Sequence, residues 1–228
     1  MIKTRKLINY FSTNEIALWC SSVILIVAAF CVFDRENFLT LAASLIGVTS
    51  LIFNAKGNPI GQFLVIVFSL LYGYISSTFS YYGEMATYLG MTAPMAVIAL
   101  ISWTKNPYNG NKSEVKVNRI TKKECVLMCI IAVIVTVLFY FILDAFHTAN
   151  MIPSTISVTT SFLAVYLAFR RSPFYAIGYA ANDIVLVILW TLAALEDICY
   201  LSVTVCFTAF FANDVYAFWN WRKMERKQ

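Results

Sequence analysis

Residues 173–195 read PFYAIGYAANDIVLVILWTLAAL, an apolar run long enough to cross a bilayer, with Asn182 and Asp183 near its middle. At a rise of 1.5 Å per residue, Asp183 lies about 15 Å along the run, roughly the midplane of a hydrocarbon core about 30 Å thick. An ionisable side chain at that depth costs about 2.5–3.5 kcal/mol unless it faces a bundle interior or a wet cavity, so Asp183 marks a functional interior. Tyr175, Tyr179, Asp183 and Trp190 are spaced by 4, 4 and 7 residues and fall on one stripe of the helix, with Asn182 beside it. A stripe of that kind suits a flat polar ligand. Its bland counterpart is packing: aromatic residues at helical spacing fill cores, and intramembrane amides tie helices together.

The composition fits such a setting. Of 228 residues, 60% are hydrophobic and 13% charged, and the mean hydropathy is +0.73, where a soluble domain carries about 25% charged residues. The chain reads as an all-α polytopic membrane protein. Its first apolar run follows a largely polar start and has no small-residue cleavage site, so it is expected to remain as a helix. Six cysteines lie in or beside apolar runs without a CxxC pair and read as small core residues, not as a disulfide framework or metal site. His147, the single histidine, has only Asp144 nearby, which makes no metal site. No GxxxxGK[ST] motif is present, which argues against direct use of ATP. The reading calls for no cofactor.

Eight apolar segments can be marked, at 16–33, 38–54, 60–81, 85–103, 125–143, 152–169, 173–195 and 198–219. The loops between them sort by charge. One side holds Lys3, Arg5, Lys6 and Lys56, six basic residues from Lys105 to Lys123, then Arg170, Arg171, Arg222, Lys223, Arg226 and Lys227. The other side holds DREN (34–37), YGE (82–84), DAFHTAN (144–150) and Glu196–Asp197, a mildly acidic outer mouth with Arg35 as its only Lys or Arg. The positive-inside rule then places both termini in the cytoplasm. The basic loop 104–124 reads as a topology determinant and a connector between halves.

The two halves also resemble each other. TNEIALWC (13–20) matches KKECVLMC (122–129), KGNP (56–59) matches RRSP (170–173), and SWTK (102–105) matches NWRK (220–223), at offsets of 109, 114 and 118 residues. Matches in order and of the same sense predict a parallel repeat about an axis along the membrane normal, with substrate near the midplane between the halves. The last segment carries a second Asn-Asp pair, Asn213 and Asp214 in FFANDVYAFWNW, about 9–12 Å from the Trp219–Trp221 interface belt. The two pairs are therefore expected at similar depth on antiparallel neighbours. The first-half equivalents of Asp183 and Asp214 are Val65 and Ala96, so the site is weighted to the second half unless Asn54 and Gln62 contribute.

RRSPFYAIGYAANDIVLVILW, an acidic outer turn and FFANDVYAFWNWRK together resemble the PnuC family of bacterial vitamin transporters over residues 38–225. The resemblance implies a SWEET-like architecture of two three-helix repeats and a linker helix (3+1+3). That divides the chain into an extra N-terminal helix (1–37), a first bundle (38–103), a basic loop with the linker helix (104–151), and a second bundle with a basic tail (152–228). It further implies facilitated diffusion of a nucleoside-like vitamin across the bacterial cytoplasmic membrane, classically nicotinamide riboside for NAD biosynthesis. A cytoplasmic kinase would trap the substrate, and a homo-trimer follows by family analogy. The substrate-binding residues expected on these grounds are Asn182, Asp183, Tyr179, Tyr175, Trp190, Asn213, Asp214 and Gln62. Family members that carry nicotinamide riboside have two tryptophans three apart, then an asparagine four residues on. Here the window holds Tyr175, Gly178 and Asn182, or, one residue later, Ala176, Tyr179 and Asp183. Both tryptophans are missing, which leaves a deoxynucleoside, thiamine or riboflavin as alternatives. Two other classes compete. A membrane-embedded enzyme needs clustered acidic or His residues at one interface, which the spans lack; a substrate-capture subunit of an energised transporter would bind a vitamin without carrying it alone.

Overall fold

The computed structural model describes residues 10–78, 81–148 and 150–228; Lys3, Arg5 and Lys6 of the predicted basic side lie outside the described residues. Eight helices among those described are long and apolar enough to cross a membrane. They are α1 (Thr13–Phe33), α2 (Phe38–Ala55), α3 (Pro59–Thr78), α4 (Tyr82–Lys105), α5 (Lys122–Ala145), α6 (Met151–Phe169), α7 (Tyr175–Ala194) and α8 (Leu201–Lys227). The predicted eight-helix architecture is borne out.

The departures have local causes. The third segment ends three residues earlier than expected, and Tyr81 becomes a buried residue at the entry to α4. Helix α4 is interrupted by a π turn, Tyr88–Thr92, followed by Pro94 in the first turn of Ala93–Lys105. Helix α8 runs eight residues past Trp219 because NWRKMERK contains no helix breaker. The basic loop folds as well, into a hairpin of β1 (Pro107–Tyr108) and β2 (Asn111–Val115), with Pro107 opposite Val115. Asn109 and Gly110, at φ 48° and 77°, turn it in the way that two-residue hairpin loops favour. Of the six cysteines, Cys206 is buried, whereas Cys31, Cys125 and Cys129 are exposed on the outer face of the bundle. The expectation of six core residues is corrected: a thiol facing lipid costs little, so apolar sequence context in a span does not imply burial.

Helices α2, α3 and α4 pack in succession, as do α6, α7 and α8, and the two sets meet along α2–α8 and α4–α6. Helix α1 lies against α2 and α8, and α5 lies against α6 and the start of α4. With only 22% of each span buried, α1 and α5 are the peripheral pair.

The sequence matches turn out to be one device used twice. Ser12 and Glu15 form a capping box at the start of α1, and Thr121 and Glu124 form the same box on α5. Each capping glutamate then pairs with the basic residue that ends the next helix, Glu15 with Lys56 at 3.3 Å and Glu124 with Arg170. Both of those helix ends close through a left-handed residue, Gly57 at φ 64° and Arg171 at φ 56°; Asn58 N donates to Phe53 O as Ser172 N donates to Leu167 O. At the same end Trp221 Nε1 donates to Asn54 O and Trp103 Nε1 to Ala168 O, both at 2.8 Å. Each of these indoles links one three-helix set to the other.

Candidate functional site

Asp183 sits eight residues into α7, and Asp214 approaches it from the antiparallel α8; both are almost fully buried. They share one cavity. Around them α7 contributes Tyr179 and Asn182, α6 contributes Ser161, and α2 contributes Ser50, Leu51 and Asn54. Helix α3 adds Val65 and Phe68, the π turn of α4 adds Tyr88 and Thr92, and α8 adds Phe207 and Phe210. The first half thus supplies apolar, aromatic and amide groups, and both acids come from the second half.

Adjacent residues on a helix diverge by about 100°, so each Asn-Asp pair splits its duties. Asn182 Oδ1 accepts hydrogen bonds from Ser157, Thr160 and Ser161 of α6 at 3.2, 2.9 and 3.0 Å, leaving its N–H groups as the donors it presents to the cavity. Asn213 turns away, donating to Ser22 Oγ of α1 at 2.9 Å and to Ala209 O. Gln62 is buried beside the cavity wall and donates to Asn54 Oδ1 at 3.0 Å.

Aromatic clusters stand at both ends. Toward the basic end, Tyr175 packs on Trp221 at 4.9 Å and Trp221 on Trp103 at 5.2 Å between ring centroids. Toward the acidic end, Tyr72 packs on Tyr88 at 4.5 Å and Tyr81 on Trp190 at 4.9 Å. Between the clusters lies a cavity of about 50 Å³, room for a few waters. Of the eight residues read from the sequence, Asn182, Asp183, Tyr179 and Asp214 therefore line one cavity. Tyr175 and Trp190 sit in the end clusters, Gln62 positions Asn54, and Asn213 anchors α1. Ser50, Tyr88, Thr92, Ser161 and the phenylalanines were not singled out by sequence reasoning; Tyr88 carries a signal only in retrospect, on the π turn. Glu84, read as part of the mildly acidic outer mouth, is 2% exposed with Oε2 unpartnered, because the first turn of α4 is packed between α3, α5 and α6.

The profile of the family described as nicotinamide mononucleotide transporter matches residues 37–223. The chain belongs to that transporter family. Two curated relatives, each named nicotinamide riboside transporter PnuC, are similar along most of their length. The Neisseria mucosa protein is 25% identical over 222 residues, covering 94% of this chain and 83% of the relative. The Haemophilus influenzae protein is 22% identical over 197 residues, covering 84% and 82%. A crystal structure of the vitamin B3 transporter PnuC superposes with a TM-score of 0.82 at 22% identity, over 95% of this chain and 94% of the other. The expected family, a multi-pass membrane transporter of PnuC type, is borne out. In this stretch of α7, Gly178 packs against Ala164 of α6, Tyr179, Asn182 and Asp183 line the cavity, and no tryptophan is among its described lining residues.

Proposed function

We propose that this protein is a passive uniporter for a nucleoside-like vitamin, with nicotinamide riboside the leading substrate. The observation that carries the reading is the buried carboxyl-amide-aromatic cavity between two similar three-helix sets, in a chain of the PnuC-type transporter family. Asp183, Asp214, Asn182 and Tyr179 contact the substrate. Tyr175 with Trp103 and Trp221, and Trp190 with Tyr72 and Tyr81, act as the inner and outer seals. Admitting a nucleoside requires the halves to part at one seal while the other holds. The units are the N-terminal helix (1–37), first bundle (38–103), loop and linker helix (104–151) and second bundle (152–228). The basic end faces the cytoplasm by the charge rule, in the bacterial inner membrane, and a cytoplasmic kinase traps the product. The protein performs no chemistry of its own, and it assembles as a homo-trimer.

The lack of a cavity tryptophan favours a second reading, the same transport of another substrate: thiamine, riboflavin or a deoxynucleoside. Calorimetry of the purified protein with these compounds and nicotinamide riboside, followed by uptake into proteoliposomes without ATP or an ion gradient, tests both readings. Tight binding of one compound with matching uptake is expected. Binding to none would sink the vitamin reading, and binding without uptake would make the chain a capture subunit.

A further inference from the structure

At the basic end, three segments meet around a groove of about 520 Å³. The connector after the hairpin lines it with Asn118 and Arg119, the entry to α7 with Phe174, and the end of α8 with Arg222, Glu225 and Arg226. Glu225 is the one acid among the described lining residues, and both of its oxygens are taken: Oε1 accepts from Arg119 Nε at 2.9 Å and Oε2 from Arg222 Nη1 at 2.5 Å. Arg226 has no ion-pair partner among the described residues. Three guanidiniums against one carboxylate leave the groove with two positive charges in excess. Orientation in the membrane requires only that Lys and Arg lie on this side; it does not require a carboxylate of 10% exposure to hold two guanidiniums around a hollow. Guanidinium forks fixed in this way match phosphate oxygens bidentately.

The groove continues into an apolar surface. The Arg222 guanidinium lies over the Phe174 ring, 5.5 Å from its centroid, and Phe174 packs on Phe218 at 6.0 Å. Along α8, Val215, Trp219, Arg222 and Arg226 follow at spacings of 4, 3 and 4 and share one stripe, with Val215 and Trp219 exposed. Phe174 leads in the same way to the exposed Ile177, Ile184 and Ile188 of α7. An exposed indole such as Trp219 marks the headgroup level, so the arginines stand at the depth of lipid phosphates and the two apolar stripes run from there into the hydrocarbon. A free anion would use the charged hollow alone, whereas an amphiphile uses both parts.

We propose that this groove is a binding site for an anionic phospholipid, with the headgroup phosphate on Arg119, Arg222 and Arg226 and the acyl chains along α7 and α8. Basic pockets at the ends of membrane helices take such headgroups. The site does not depend on what the central cavity carries. Because Arg119 belongs to the connector between the halves and Arg222 and Arg226 to the second half, one bound phosphate fastens the two together.

The test places the full chain in nanodiscs of phosphatidylcholine and adds spin-labelled phosphatidylglycerol or spin-labelled phosphatidylcholine; electron paramagnetic resonance reads the fraction of each label immobilised on the protein. Wild type is expected to prefer phosphatidylglycerol by at least about tenfold. Arg226→Gln, which breaks no ion pair, is expected to lose about fivefold of that preference, and the double variant with Arg222→Gln most of it. Lys105→Gln removes the same charge from the repeat-equivalent end of α4, outside the groove, and is expected to leave the preference unchanged. The melting temperature of wild type should rise when phosphatidylglycerol enters the disc, and that of Arg226→Gln should rise less. Excess inorganic phosphate is expected to leave the labelled lipid in place. Equal retention of the two lipids by wild type, an equal loss in Lys105→Gln, or displacement by inorganic phosphate, which would make the groove a free-anion site, each overturns the proposal.

Discussion

Asn182 and Asn213 occupy the same Ala-Asn-Asp setting, yet one holds a cavity wall and the other a peripheral helix. The difference lies in their partners. Replacing Asn182 with Ala takes the shared acceptor from Ser157 and Ser161 of α6, while Thr160 keeps the carbonyls of Ile156 and Ser157, so the loss is expected at about 1–3 kcal/mol, with substrate affinity falling as well. Asn213→Ala gives up one interhelical bond to Ser22, a cost of about 0.6 kcal/mol, with affinity unchanged. Thermal melts and calorimetry on the two variants separate these outcomes; an affinity loss in Asn213→Ala would return that residue to the site. Depth was readable from residue counts, which is why Asp183 and Asp214 were expected at similar depth on neighbouring helices. Rotation about the helix axis was not readable: one residue's turn decides whether an amide faces the cavity or the helix outside it.

Among the elements, the ends of α1 and α5 were written plainly as S/T-x-x-E boxes, but the ion pairs they lead to were not. Glu15 is nearly buried and also accepts from Tyr216 Oη at 3.0 Å, so Glu15→Ala is expected to cost about 3 kcal/mol by stranding Lys56 and the phenol. The equivalent Glu124 is more open, at 26% side-chain exposure, and Glu124→Ala is expected to cost about 1 kcal/mol or less. Chemical melts in detergent would show whether the pair is as unequal as burial demands. The π turn had no sequence signature, since it arises from how α4 packs, yet Gly73 records it: a Cβ there would lie 2.6 Å from Leu89 on that turn. Gly73→Leu is expected to slow flux with equilibrium binding intact, and Leu89→Ala should restore the rate; unchanged flux in the single variant would remove the turn from the transport cycle. At the α7–α8 connection, the Cys199 N–H donates to Asp197 Oδ1 at 3.0 Å and holds that carboxyl below the usual carboxylate range. Its contribution is complete above the unfolded value of about 4 and is lost as pH falls through the lower folded value, so Asp197→Ala should flatten the acid limb of a melting-temperature profile.

Across the whole molecule, the internal repeat was the most reliable guide, because each match proved to be a physical fastening and not a residue of composition. Trp103→Phe and Trp221→Phe remove equivalent N–H donors, while Ala168 O and Asn54 O keep the Arg171 and Gly57 N–H groups, so each is expected to cost about 0.5–1.5 kcal/mol. Because both indoles join the two three-helix sets at the same end, either variant is expected to raise flux while lowering the melting temperature. Asymmetry, by contrast, escaped the sequence: among the described residues a hairpin strap lies only between the halves, where Val115 N donates to Gly57 O at 2.9 Å and Asn118 N to Arg171 O at 3.0 Å. Its tip is open, with nothing within 4 Å of where a Gly110 side chain would begin. That makes Asn109–Gly110 a natural port for an inserted epitope or fluorescent domain. A label at that position would tell, from which face of a sealed vesicle an antibody reaches it, which way the molecule sits in its membrane.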